Sequence, residues 1–346
     1  MKKQPLIGKS HNELKEIVAG LSMPSFTAKQ ITEWIYKKKI GSIDEMTNIS
    51  AKNREILAEK YEVGCNKPIQ VVESSDGTKK YLFQTEVGHY IETVYIPEDD
   101  RATLCVSIQV GCKMNCLFCM TGKQGFNGHL SPTEIINQII SIPETDKLTN
   151  IVFMGMGEPF DNMMSLLQSL EIITSSYGFG WSPRRVTVSS IGIVPGMKVF
   201  LEKSDCHLAI SLHSPFHEER ERLMPMEKVY PIEKVIAELK KYDFSHQRRL
   251  SFEYIMFEGT NDSIRHAVEL VKLLKGLDCR LNLIRFHEIP GIDLRSSNPD
   301  KMEFFRNYLN NNGIITTIRR SRGEDIQAAC GLLSTKEKLQ HNANSL

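Results

Sequence analysis

The chain has 346 residues, 25% of them charged and 41% apolar, with a formal net charge of +1. That length holds one large α/β domain plus a smaller one, and the composition permits an ordinary globular core. The near-zero charge argues neither for nor against a nucleic-acid partner, so local clusters have to carry that case. No run of eighteen apolar residues exists, which excludes the usual signature of a membrane-spanning helix. The N-terminal "MKKQPLIGKSHNELKEIV" has lysines but no apolar core of a signal peptide, so a cytoplasmic, monomeric protein is expected. In that compartment the eight cysteines stay reduced, and clustered ones point to metal binding or catalysis.

Residues 10–62 read as helical. "ELKEIVAGL", "AKQITEWIYKKK" and "KNREILAEKY" place apolar residues at three- and four-residue steps. "IQVVES", "KKYLFQTE" and "HYIETVYIP" read as strands, with an Asp76-Gly77 turn between the first two. From Thr103 strand and helix alternate. Strands are expected in "TLCVSIQVG", "NIVFMGMG", "RRVTVSSIG", "HLAISLHS", "LSFEYIMF" and "RLNLIRF". Helices lie between them, and a last helix, "KMEFFRNYLNNNG", leads into a final strand, "IITTIRRS". Six βα units favour a parallel sheet curled by right-handed crossovers, a partial barrel, although pattern alone leaves a doubly wound sheet open. The expected organisation is a helical unit over 1–64, a β-rich hairpin extension over 65–100 and a partial (βα)6 barrel over 101–346. Ligands belong at the carboxyl ends of the strands, where the polar oddities "GMGEP", "SLHS" and "NLIRFH" fall.

Within "GCKMNCLFCMTG", Cys112, Cys116 and Cys119 are spaced C-x3-C-x2-C. Four thiolates close a structural zinc site, whereas three leave a position open. Cys105 as a fourth ligand breaks the usual paired spacing. An iron–sulfur cube held by three thiols would instead leave one iron free for a substrate.

This loop, after the first barrel strand, resembles the radical S-adenosylmethionine (SAM) superfamily. The resemblance implies a [4Fe-4S] cluster whose open iron chelates SAM, and cleavage of SAM to a 5′-deoxyadenosyl radical. It also implies SAM contacts from Gly157 and Glu158 of "GMGEP", and from Ser189, Ser211, Leu212, His213 and Asn282 at the other strand ends. Longer strings are more specific: "ETVYIP", "TLCVSIQVGC", "KQGFNGHL", "FMGMGEP", "RLMP" and "RGEDIQAACG". They resemble the radical SAM methyltransferases that modify adenine C2 in 23S rRNA and tRNA. By that resemblance Cys330 carries the methyl group, Cys105 resolves the protein–RNA thioether, and Glu92 accepts the C2 proton. A reducing partner of flavodoxin type is implied as electron donor. Cys65, Cys206 and Cys279 read as small buried hydrophobes.

Phosphate contacts are expected from Lys37–Lys39, Arg184 and Arg185, Arg248 and Arg249, or Arg319, Arg320 and Arg322, with Trp34 and Tyr36 as an aromatic supplement or as core. Arg285, His287 and Leu332 depart from the C2 pattern, and the first two point toward the antibiotic-resistance relatives that methylate adenine C8. Two further rivals are a radical SAM enzyme with another substrate and a zinc-stapled, non-enzymatic RNA-binding protein.

Overall fold

The computed structural model describes residues 3–246 and 248–335; residues 1–2 and 336–346, which belong to the expected end units, lie outside the described residues. The N-terminal unit opens with α1 (His11–Gly20), whose capping box is complete: Ser10 Oγ accepts from Glu13 N–H, and the Glu13 carboxylate accepts from Ser10 N–H at 2.7 Å. Next, α2 (Thr27–Thr32) runs into a π-helical turn, Glu33–Lys37, and α3 (Ala51–Lys60) follows. Two short parallel strands, Gln4–Pro5 and Tyr61–Glu62, tie the ends of the unit together.

One ten-stranded sheet dominates the rest, and its strands lie side by side in sequence order. These are β1 (Gln70–Glu73), β2 (Lys79–Gln84), β3 (Tyr90–Pro97), β4 (Ala102–Cys105), β5 (Asn150–Phe153), β6 (Val186–Ser190), β7 (His207–Ser211), β8 (Leu250–Met256), β9 (Cys279–Arg285) and β10 (Ile315–Ile318). From β1 to β4 the neighbours are antiparallel; from β4 to β10 they are parallel. Parallel neighbours require crossovers, and helices supply them: α4 (Met120–Gln124), α5 (Pro132–Ile140), α6 (Met163–Thr174), α7 (Val194–Lys203), α8 (His217–Leu223), α9 (Ile232–Leu239), α10 (Ile264–Leu274) and α11 (Pro299–Asn311). The hairpin extension is therefore not a separate layer but the antiparallel margin of the barrel sheet.

One expected strand is split. "TLCVSIQVG" reads as continuous, yet β4 stops at Cys105, and Gln109–Gly111 turns away to pair with Phe126–His129. Competing bonds cause the break. Ser107 N–H donates to Gln138, Ser107 Oγ donates to the Glu92 carbonyl at 2.6 Å, and Ile108 N–H donates to the Met156 carbonyl. The bend swings the cysteine loop over the carboxyl ends of the strands.

The larger of two apolar clusters runs from Leu6 to Leu333 and includes both the N-terminal unit and the barrel; the smaller gathers Met114, Phe118, Phe257 and Phe286. Tyr36 is 1% exposed, its hydroxyl donates to the Lys9 carbonyl, and its ring packs edge-on against Phe179, so it is core rather than an RNA contact. Lys39 is occupied too, 2.6 Å from Asp146 on the barrel. At the seam Gly8 has φ +80°, and a Cβ there would stand 2.3 Å from Thr133 N. Gly8→Ala is expected to cost about 2 kcal/mol or more, from left-handed strain plus overpacking, read as a lower urea midpoint with an unchanged m-value.

Candidate active site

The cysteine loop begins at Gly111, whose φ of +73° and approach to the Gly125 carbonyl leave no room for a side chain. The loop is then pinned by Cys112 N–H to Gly125, Cys119 N–H to Cys116 and Leu117 N–H to Leu223. All three thiols line one side of an inner chamber of about 160 Å³ at the strand ends, together with Gly157, Glu158, Ser189, Ser211 and His213. Met114, Phe118, Met224, Ile255 and Ile284 form an apolar shell around it.

Two expected SAM contacts stand elsewhere. Leu212 is buried away from the chamber, where its carbonyl accepts from Arg220 Nε. Asn282 lies behind the wall, donating to Glu253 Oε1 at 2.8 Å, and it is Glu253 that faces the chamber. Glu158 turns its carboxylate inward to accept from the N–H groups of Phe160 and Ile191, and burial pushes its pKa up to about 7. Its backbone is engaged as well, the N–H donating to Gln109 Oε1 at 2.8 Å and the carbonyl accepting from Asp161 N–H. His213, in left-handed conformation at φ +55°, accepts from Ile255 N–H through Nδ1 and stacks edge-on to Phe118. Burial, reinforced by Arg220, lowers its pKa to about 3, so the ring is neutral.

An outer chamber of about 400 Å³ adjoins the inner one. Cys105, Thr103, His287, Arg319, Arg320 and Arg322 are among its lining residues. Cys119, Met154, Arg319 and Cys330 line both chambers. The Cys330 sulfur is thus exposed to a cavity rather than to the outer surface. Burial raises its pKa while Arg319 opposes the rise. Burial raises the Cys105 thiol as well, to about 12. Glu92 is buried, with Lys80 Nζ 3.2 Å from Oε1 and Ser334 N–H donating to Oε2 at 3.0 Å, and it lines neither chamber.

Three structurally important residues escaped the sequence reading. Arg220, 1% exposed, donates to the carbonyls of Ile191, Ser211 and Leu212 and pairs with buried Glu227, which knits three strand-end loops together. Glu253 pairs with Arg319 at 3.3 Å across the chamber wall. Met154 sits 3.7 Å from Arg319 Nη1. The signal for Glu253 was available: it is one carboxylate inside the otherwise apolar string "LSFEYIMF".

The donor set fits a cluster better than a single ion. Tetrahedral zinc at the usual Zn–S length holds its sulfurs about 3.8 Å apart, whereas, among the described residues, these three are not all within 4.8 Å of one another. Three thiols, an apolar shell and an adjoining chamber suit a cube with one open iron.

Comparison with known proteins agrees. The Radical SAM superfamily model matches residues 106–271, and that of the ribosomal RNA large subunit methyltransferase N-terminal domain matches residues 4–63. The "Probable dual-specificity RNA methyltransferase RlmN" of Bacteroides fragilis is 58% identical over 99% of this chain and 100% of its own length. The "Dual-specificity RNA methyltransferase RlmN" of Marinobacter nauticus is 40% identical over 95% of this chain and 92% of its own. The chain belongs to the RlmN family of radical SAM RNA methyltransferases. A crystal structure of a radical SAM methyltransferase from Sphaerobacter thermophilus superposes with a TM-score of 0.90 at 37% identity, covering 95% of this chain and 99% of that one. A [4Fe-4S] cluster and SAM are the cofactors of this RlmN-type enzyme. The zinc-stapled, non-enzymatic reading is overturned by this membership. Among the described residues no helix is long and apolar enough to cross a membrane.

Arg220→Leu removes the buried guanidinium from Glu227 and leaves that carboxylate only His217 and the Ile232 N–H as partners, at an expected cost of about 3–5 kcal/mol. The double variant Arg220→Leu/Glu227→Leu is expected to recover part of that loss. Urea unfolding of the two variants checks both statements.

Proposed function

We propose that the chain methylates C2 of an adenosine in 23S rRNA and in tRNA, with Cys330 as methyl carrier, Cys105 as resolving thiol and Glu92 as proton acceptor. The observation that carries this reading is that Cys330 lines both chambers, one of which is lined by all three loop cysteines and the other by Cys105. The substrates follow the name of the relatives, dual-specificity RNA methyltransferase, and the ribosomal RNA large subunit methyltransferase N-terminal unit.

Adenine C2 is an electron-poor carbon without a lone pair, so polar methyl transfer from a sulfonium is closed to it. Bound cluster and SAM supply a methyl electrophile for one thiol and a primary radical that abstracts hydrogen. Cys330 offers the nucleophile for the first task, since a thiolate displaces methyl from a sulfonium by ordinary substitution. The same sulfur then presents its methyl carbon, which gives up one hydrogen atom and bonds to C2. The thioether that joins protein and RNA so starts with an unpaired electron on the purine; as the C2 proton is lost, that electron has to leave to an acceptor that the bound cluster would supply. A base must remove the C2 proton. Glu92 is assigned that role, which requires Ser334 N–H to release its carboxylate. Cys105 attacks the Cys330 sulfur and loses its thiol proton, the S–C bond electrons go to the departing carbon as the disulfide forms, and that carbon takes up a proton to become the methyl group. Arg319, at the junction of the chambers, stands ready to favour a thiolate at Cys330.

Because C2 points into a paired stack, the target adenosine has to be unstacked or loop-borne. An outer chamber of about 400 Å³ lined by four arginines, Arg101, Arg319, Arg320 and Arg322, suits an unstacked nucleotide with its phosphate. The electron donor is proposed to be of flavodoxin type. The C8 alternative has no support from the Bacteroides fragilis and Marinobacter nauticus relatives, which carry the dual-specificity name.

Cys330→Ala is expected to bind and cleave SAM but transfer no methyl, and the wild-type Cys330 peptide should gain one methyl in mass after incubation with SAM. Methylated RNA from Cys330→Ala would overturn the carrier role. Cys105→Ala is expected to accumulate a covalent protein–RNA adduct on denaturing gels; free methylated RNA from it would remove the resolving role.

A further inference from the structure

A second polar cavity, a groove of about 490 Å³, lies at the opposite end of the barrel sheet. Asn150, His207, Leu250 and Cys279, the first residues of β5, β7, β8 and β9, line it. Leu250 belongs to the groove and Ile255 of the same strand to the inner chamber, so the two sites are separated by about 17 Å at the usual rise of a strand. Nothing in the methyl-transfer chemistry uses this end of the barrel.

Four guanidinium groups converge here from separate segments: Arg184 before β6, Arg248 and Arg249 before β8, and Arg280 in β9. Arg248 is anchored, donating to the Leu201 and Ser204 carbonyls and standing 3.7 Å from Asp205. Arg184 reaches the His246 carbonyl at 3.5 Å. Arg249 and Arg280 are exposed, and among the described residues neither has a carboxylate within ion-pair distance, although Asp278 shares the groove. Burial first, then all four arginines, hold the His207 pKa down at about 4. Its Nδ1 accepts from Arg249 N–H at 2.9 Å, so the neutral ring carries its proton on Nε2 as a further donor. A concave surface that gathers like charge and leaves it unmatched is destabilising by itself and becomes favourable when an anion occupies it.

We propose that this groove is a second RNA-binding surface, which holds backbone phosphates of the substrate remote from the adenosine in the reaction chamber. The proposal rests on the RNA methyltransferase reading. A folded RNA is long enough to reach both ends of the barrel, and its regularly spaced phosphates suit guanidiniums spread along a groove rather than focused on one point. Rigid strands join the two surfaces, so a contact at one end fixes the register of the RNA at the other.

The test is fluorescence anisotropy of a tRNA transcript containing the target adenosine, over a salt series, with full-length wild type, Arg249→Ala/Arg280→Ala and Arg249→Lys/Arg280→Lys. The alanine pair is expected to weaken binding about tenfold and to lower the slope of log K against log salt by about 1.4–1.8, for two phosphate contacts. The lysine pair keeps the charge and should keep the slope. In steady-state methyl transfer the alanine pair should raise KM and spare kcat. A salt-dependent wild-type affinity matched in strength and slope by the alanine pair would overturn the groove proposal alone. Failure of wild type to bind the transcript would instead overturn the RNA reading on which it rests.

Discussion

The loop carrying Cys330, Gly323–Gly331, forms no helix or strand, and its position depends on hydrogen bonds to segments far away in the chain. On one side it docks on the β1–β2 turn: Gly323 N–H donates to Asp76 Oδ2 at 3.0 Å, Ser74 Oγ donates to Asp325 Oδ1 at 2.5 Å, and Ser75 N–H donates to Asp325 Oδ2. On the other it docks on the cysteine loop, through Met120 N–H to the Gly331 carbonyl and Thr121 Oγ1 to the Leu333 carbonyl. Burial works to raise the Asp76 pKa, but hydrogen bonds from Thr78 and Gly323 outweigh it and bring the value to about 2. Stability from this clamp is therefore complete above the ordinary aspartate range and is lost only as pH falls toward about 2. Without these two docking faces the thiol would sample a wide volume, and its place on the wall between the chambers would carry no chemical meaning.

That clamp explains the antiparallel margin of the sheet. A partial barrel needs no β1–β3 to enclose its inner chamber, but here these strands supply the Ser74–Thr78 turn, and β3 supplies Glu92 beside the Ser334 segment. The parallel part supplies the other half of the site. Successive strand ends deliver Gly157, Ser189, Ser211 and Glu253, while buried Arg220 and Glu158 bind the loops between them. Both sets of groups are costly to bury unless fully bonded. Their satisfaction by backbone partners is what makes the strand ends rigid enough to define a small chamber.

Much of this was legible because the chemistry requires local signatures. Three thiols in one loop, and alternating strand and helix strings, are written in contiguous residues. What stayed hidden depends on tertiary choices. α8 is a seven-residue, charge-rich string, "HEERERL", with too few apolar positions to show a helical period, and the polar strand Phe126–His129 exists only because Gln109–Gly111 bends to meet it. Basic runs were legible as runs, but their partners were not: Arg184, Arg248 and Arg249 share one groove. Lys39, Arg319 and Arg322 looked like surface charge, yet they stand beside Asp146, Glu253 and Asp76, respectively. Arg280 belonged to no run, and only the parallel pairing of β8 with β9 brings it to Arg249. Local charge density in a sequence measures proximity along the chain, whereas phosphate recognition depends on proximity in space.

The two chambers also answer a conflict between the proposed steps. Radical chemistry is safest in a small apolar space that keeps out water and stray hydrogen donors, and the inner chamber is about 160 Å³ with an apolar shell. An RNA must present its base and phosphate to a cationic surface, and the outer chamber is larger and lined by arginines. One site asked to do both would be too polar for the first task or too small and apolar for the second. A carrier on the shared wall removes the need for compromise, because only a one-carbon group has to pass between the environments. The same logic favours the outer side for the proposed resolving thiol, and Cys105 lines the outer chamber and not the inner.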